Sequence, residues 1–387
     1  MLPAPTPTPQ ARNTNVPLLD IKPVKPVGPP VNTSSDSTAT GSTGTNNTGG
    51  GGANTEHAYS LYQQKQYAAA AKEAREIAKS DPQNPEAWKL AGFSELALKQ
   101  YPEAAGDLQK ALDLQRSSKQ EDAPTIDALA QSYVFAEKYD QALPLLVTAT
   151  TRSGAKADPL MLYLRGLAEY KTGKVAEAEK SFNATVKLNP KDSLSLYYLG
   201  QIALTKNDLD GAIAAFNRTT VNDPRMAAAW TQLTSAYLRR AANAADPTQA
   251  DADYLNAVRA GEGLIKVRTD PDAIVLFGQA LIGAKQYMRA ATALERSSTA
   301  PEAGEVTFYL LGVAQSRAKN FPKAIASLER AAQKKPDDVN VYRELGYAYE
   351  VSKQYGKALG AYQKGLSLVP NDADFKESVE RVRPFAK

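Results

Sequence analysis

Few residues in this chain carry types and spacings that could make or break bonds. His57 is the only histidine and there is no cysteine, so a zinc site, a Ser-His triad and a thiolate nucleophile all lack their parts. Gly261-Glu262-Gly263 has the start of a nucleotide-binding glycine run. It follows a helical pattern rather than a strand and lacks the third glycine, and no glycine-rich loop precedes a Lys-Ser or Lys-Thr pair. Asp and Glu are plentiful, but on amphipathic helices they read as a solvated face. The Asn-x-Ser/Thr triplets at Asn32, Asn46, Asn183 and Asn217 are of a kind that arises readily by chance. The expectation is a non-enzyme with no cofactor and no metal. A formal net charge of +4 without basic runs interleaved by aromatics also argues against nucleic acid as partner.

The elements behind these residues are helical and they repeat. In the stretch from Ser193 to Pro224, Leu196, Leu199, Ile202 and Ala203 recur at helical spacing. A polar turn Lys206-Asn207-Asp208 follows, and Leu209, Ala212, Ile213 and Phe216 recur in turn. Gly166 and Gly200, Phe182 and Phe216, and Pro190 and Pro224 are each 34 residues apart. Gly278, Gly312 and Gly346 keep that step, as do Ala290, Ala324 and Ala358, and Tyr287, Phe321 and Tyr355. Independent ladders with one period mark an array of helix pairs. Nine units start near 51, 85, 123, 159, 193, 227, 271, 305 and 339. The step is broken by added residues near 117–122 and 239–253, the second inside a unit, where it should lengthen a helix or form a loop.

These residues resemble the tetratricopeptide repeat family over about 56–372. Trp88 and Trp230 match its bulky residue early in helix A; Leu199-Gly200, Leu311-Gly312 and Leu345-Gly346 match its Leu-Gly pair. Tyr101-Pro102-Glu103-Ala104 and Tyr139-Asp140-Gln141-Ala142 match the opening of helix B, and Pro82, Pro190, Pro224, Pro336 and Pro370 its closing proline. Thr234 stands where the sixth unit would have glycine. The resemblance implies an all-α, right-handed α-solenoid whose concave side is lined by the A helices. It also implies that the residue after the Leu-Gly pair, and the one three before the Gly, face that groove. On this basis Gln131, Tyr163, Tyr197, Gln201, Gln279, Tyr309, Arg343 and Tyr347 are the candidate protein-binding residues, with Tyr197 the expected anchor. Tyrosine offers flat area plus a hydroxyl, and glutamine pairs with extended backbone. One subclass of the family grips a C-terminal carboxylate with Lys and Asn; Tyr59, Leu90, Pro124 and Ala128 stand at relevant positions here, so that pattern is missing.

Residues 1–55 read as a disordered tail, proline-rich and then Ser/Thr/Asn/Gly-rich, too poor in apolar residues to build a core. Its apolar cluster, Val16, Leu18, Leu19 and Ile21, is a candidate docking motif. Residues 373–387 form the C-terminal end, with an amphipathic capping helix in which Phe375, Val379 and Val382 share a face. No apolar run is long enough to span a membrane, and no signal segment begins at Met1, although one could have been removed. The expected function is a scaffold or adaptor that binds an extended peptide or loop of another protein, tethered through its tail. A structural subunit of a larger cell-envelope or secretion assembly is the alternative, and an accessory domain of an enzyme a third. The tail composition leans towards an exported or periplasmic location, with the cytoplasm as alternative.

Overall fold

The computed structural model describes residues 55–152, 157–301 and 303–386. The tail and its candidate motif Val16, Leu18, Leu19 and Ile21 lie outside the described residues. Among the described residues every regular element is a helix. The chain divides into two compact units that meet at 195/196. The first holds α1 (Glu56–Gln63), α2 (Tyr67–Ser80), α3 (Pro85–Ala97), α4 (Tyr101–Ser117), α5 (Ala123–Phe135), α6 (Tyr139–Thr151), α7 (Pro159–Lys171) and α8 (Val175–Leu188). Helix α9 (Ser193–Thr205) spans the division. The second unit continues with α10 (Leu209–Asn222), α11 (Ala227–Asn243), α12 (Pro247–Val267), α13 (Pro271–Gly283), α14 (Tyr287–Ser298), α15 (Glu305–Arg317), α16 (Phe321–Lys334), α17 (Val339–Val351), α18 (Tyr355–Leu368) and α19 (Ala373–Val382), and ends in a 3-10 turn at Arg383–Phe385. Odd-numbered helices up to α17 are the A helices of nine pairs and even-numbered ones the B helices.

A and B helices start differently, for sequence reasons. Most A helices open on a side-chain cap: Asn84, Asp122, Asp158, Asp270 and Asp338 each accept a hydrogen bond from backbone N–H groups of the first turn. Several then place proline in that turn, where its missing N–H costs nothing. B helices other than α12 follow a tight three-residue turn whose middle residue adopts a left-handed conformation. Gly173 takes it with φ +80°, but Lys65, Lys99, Glu137, Asn207, Lys285, Lys319 and Lys353 take it with φ between 58° and 62° or at 64°, a conformation costing a side-chain-bearing residue about 1–2 kcal/mol.

Between pairs, the closing proline is pinned from the next A helix. The Trp88 Nε1–H donates to the Pro82 carbonyl at 3.1 Å, Trp230 Nε1–H to Pro224 at 2.9 Å, and the Tyr342 hydroxyl to Pro336 at 3.0 Å. At these three junctions the closing proline and the bulky residue of the next unit share one task. Within pairs, glycine lets the helices close. A Cβ on Gly200 would lie 2.6 Å from the Phe216 ring, and one on Gly312 would lie 2.5 Å from Leu328 Cγ. In the sixth pair Thr234 is buried and returns its hydroxyl to the Trp230 carbonyl at 2.8 Å. The close approach moves to the B helix, where a Cβ on Gly263 would strike the Trp230 ring at 2.7 Å.

The two breaks in period lengthen helices. Residues 117–122 extend α4 to Ser117 and supply the turn before α5. Residues 239–253 extend α11 to Asn243 and start α12 at Pro247, leaving three residues between them. Asp253 is fully buried and accepts from Arg240 Nη2 at 2.6 Å and Nε at 2.9 Å, with Gln249 donating at 3.1 Å. Arg239 reaches back to Asn207 at 2.7 Å, and Asp251 reaches forward to Lys285 at 3.1 Å. The lengthened pair is thus tied to the turns of both its neighbours.

Candidate protein-binding surface

The eight residues on the A helices divide by accessibility. Gln131 is 0% exposed, and neither its Oε1 nor its Nε2 bonds another protein group. Tyr163 is 4% exposed, its ring 6.2 Å from that of Phe182 in the same pair. Tyr197 is likewise 4% exposed, its ring 5.7 Å from Phe216. These three do not form a contact surface. At Tyr163 and Tyr197 the phenylalanine that fills the space beside the close-packed glycine, Phe182 or Phe216, also takes the tyrosine ring. Gln201 is half-buried and donates from Nε2 to the Tyr197 hydroxyl at 2.7 Å, so it satisfies the polar tip of a core residue.

Arg343 serves the end of the array. Its guanidinium pairs with Asp372 at 2.7 Å and Asp374 at 3.1 Å and lies 4.4 Å over the Phe375 ring. It therefore clamps α17 to α19, whose own cap is Asp372, accepting from the Phe375 N–H at 3.0 Å. Phe375, Val379 and Val382 of α19 are buried against the last pair.

The accessible residues are Gln279, half-buried on α13, Tyr309, half-buried on α15, and Tyr347, exposed on α17. Tyr309 and Tyr347 share surroundings that the sequence ladders did not mark. Arg317 at the end of α15 holds Glu344 of α17 with both arms, at 2.9 and 2.7 Å, and lies 5.8 Å over the Tyr347 ring. Phe321 meets that ring edge-on at 6.4 Å. Burial, and then the Glu344 carboxylate, push the Tyr309 hydroxyl well above the ordinary range. It stays a neutral donor. The strip is aromatic, with a paired guanidinium beneath it, and has no group placed for bond making.

Polar groups inside the pairs carry no sequence ladder of their own. Three residues after the glycine, Glu95, Glu169 and Gln315 meet the B-helix residue twelve positions on. Ser181 donates to Glu169 at 2.6 Å and Ser327 to Gln315 at 2.8 Å. In the second pair, Glu95 and Asp107 share the Arg75 guanidinium, at 2.7 and 2.8 Å. The Glu95 contact is out of line for a hydrogen bond. Among the described residues no cluster of His, Asp and Glu is arranged to hold a metal ion, and no helix is long and apolar enough to cross a membrane.

A family model described as tetratricopeptide repeat matches residues 55–120, 128–193, 163–227 and 309–373, more than half of the chain. The chain belongs to the tetratricopeptide repeat family. No curated protein matches it. Among solved structures it is similar to YrrB, described as a TPR protein with an unusual peptide-binding site, at 17% identity over 52% of this chain and 99% of that one, with a TM-score of 0.42. MamA from Desulfovibrio magneticus is similar at 21% identity over 47% and 98%, TM-score 0.41. A tetratricopeptide repeat protein from Parabacteroides merdae is similar at 14% over 67% and 98%, TM-score 0.41. Tetratricopeptide repeats are interaction modules: stacked helix pairs present extended surfaces to other proteins.

Proposed function

We propose that this tetratricopeptide repeat protein is a non-enzymatic adaptor that captures an extended peptide or loop of another protein on the A-helix face of its last three repeats. The observation that supports the reading is the strip across α15 and α17. Tyr347 is 44% exposed there, backed by Phe321 and by an Arg317 that Glu344 already holds in place. A rigid aromatic with a polar tip and a pre-ordered guanidinium below it has the character of an interface anchor. Gln279 on α13 and the Tyr309 hydroxyl on α15 supply further donors for peptide backbone along the A helices. Tethering through the tail, and an exported or envelope setting, belong to the same proposal and rest on the composition of residues 1–54.

Peptides selected from a displayed random library on the full chain test this. Tyr347→Ala should weaken the selected peptides at least roughly tenfold, about 1.4 kcal/mol, by fluorescence anisotropy. The melting temperature should change far less than for a core tyrosine, because nearly half of Tyr347 is exposed. Selected peptides that bind Tyr347→Ala and Gln279→Ala as tightly as the parent would move the binding surface away from this face.

A further inference from the structure

Beyond the last helix pair, exposed apolar side chains converge on a cavity of about 570 Å³. Its walls are Tyr347, Val351, Lys353, Tyr355, Val382 and Phe385. Val351 is 43% and Phe385 62% exposed. The corresponding junction is closed earlier in the array: Tyr101, first residue of α4, stacks on Phe135 of the next A helix at 4.8 Å, and Phe135 is buried. At the end, Tyr355, first residue of α18, stacks at 5.3 Å on Phe385, which stands on the 3-10 turn with most of its ring in water. The junction has a floor and lacks its outer wall.

Its charges are uneven. Glu350, which also lines the cavity, is fully engaged: Arg381 donates to it at 2.9 and 3.1 Å and the Tyr362 hydroxyl at 2.8 Å. Lys353 has no ion-pair partner among the described residues and is exposed in the turn before α18. The cavity therefore combines apolar walls with one uncompensated cation. Its chemical complement is a short apolar segment carrying one carboxylate.

We propose that this cavity receives residues 15–21 of a second copy of the chain. Asn15-Val16-Pro17-Leu18-Leu19-Asp20-Ile21 holds four large apolar residues around a single acidic one, Asp20, in a stretch otherwise dominated by Pro, Ser, Thr, Asn and Gly. Leu18, Leu19 and Ile21 match the walls and Asp20 matches Lys353. Pro17 restricts the backbone before binding and so lowers the ordering cost. The segment precedes the first repeat and the cavity follows the ninth, so the contact joins the two different ends of two molecules. Such a head-to-tail interface is heterologous and its extent depends on concentration. It shares Tyr347 with the proposed capture strip, but it is probed at the tail, Lys353 and Phe385, so its failure is separable from failure of peptide capture at Tyr347 and Gln279.

Sedimentation equilibrium of the full-length chain over a concentration series tests it. The mass should rise with concentration. A tail variant, Leu18→Ser with Leu19→Ser, and a cavity variant, Lys353→Glu with Phe385→Ala, should each remain monomeric. Both should keep the parent's melting curve. Glutamate already occupies the same turn position at Glu137, also with φ 58°, and Phe385 lies at the surface. Mixing the two variants should restore a one-to-one dimer, because one brings an intact cavity and the other an intact tail. A labelled peptide of residues 13–24 should bind the tail variant at least roughly tenfold more tightly than the cavity variant. A chain that stays monomeric throughout the series overturns the proposal. Peptide binding would then point to each molecule's own tail, and no peptide binding to an unrelated partner. Association that both variants retain overturns it equally.

Discussion

Tyr197 carries a hydroxyl that could serve a partner and a ring that could serve the core, and the structure assigns it to the core. Its ring packs on Phe216 and its hydroxyl accepts from Gln201. Tyr197→Ala should therefore lower stability by about 3 kcal/mol through lost burial and an unfilled cavity, read from the urea midpoint, while peptide affinity per folded molecule stays unchanged. A variant that melts like the parent would return Tyr197 to the surface. Glu95 gives a second test at this scale. Burial first, and the neighbouring Asp107 second, push its carboxyl up to about 8 from an ordinary 4.5, against the opposing pull of Arg75. The folded state then holds a proton that the unfolded chain releases, so its contribution to stability is complete below about pH 4.5 and fades as pH rises towards 8. Glu95→Gln should flatten that part of the pH–stability curve and gain on the parent at its alkaline end. An unchanged slope between those values would mean that Glu95 is ionised throughout, paired with Arg75.

At the scale of the element, the sixth helix pair departs most from its neighbours and gives the sharpest expectation. Removing the guanidinium with Arg240→Ala strands the fully buried Asp253 carboxylate. Breaking a buried pair from one side costs about 3–5 kcal/mol, and exchange of the α11 and α12 amides should quicken before that of α17 and α18. Asp253→Asn should cost less, because the amide carries no charge and keeps one acceptor oxygen for Arg240. The sequence made the helices, their pairing and the extra residues of this unit legible, because 34-residue ladders and helical spacing are local signals. It did not show that both helices lengthen, since Arg239, Arg240 and Asp251 find their partners in turns of other repeats. Nor did it show that Gly263 takes over the close approach where Thr234 replaces glycine, because the Trp230 ring that needs the space comes from the opposite helix. The burial of Tyr163 and Tyr197 is not legible in spacing for a related reason. Spacing places Tyr163 and Tyr197 on one face of their helices, but only the neighbouring B helix decides that this face is covered.

At the scale of the whole molecule, helix pairs that pack only on neighbours should confine damage to the neighbourhood in which it occurs. Ala324 of α16 is fully buried where α16 meets α15; the Ala324 carbonyl oxygen would lie only 3.3 Å from a Cβ on Gly312. Ala324→Leu enlarges the side chain at a crossing without spare room and should cost about 1–3 kcal/mol by overpacking. In a single cooperative globule that loss would appear at every slowly exchanging amide. In a repeat array it should appear first in α13 to α18, with protection in residues 55–152 left at the parent's level, because the eighth pair packs on α13, α14 and α17. Hydrogen exchange followed by mass spectrometry reads both regions in one sample. Protection lost equally in α3 and in α16 would show that the two compact units unfold as one, and neighbour-only coupling would then fail as the account of how this chain is held together.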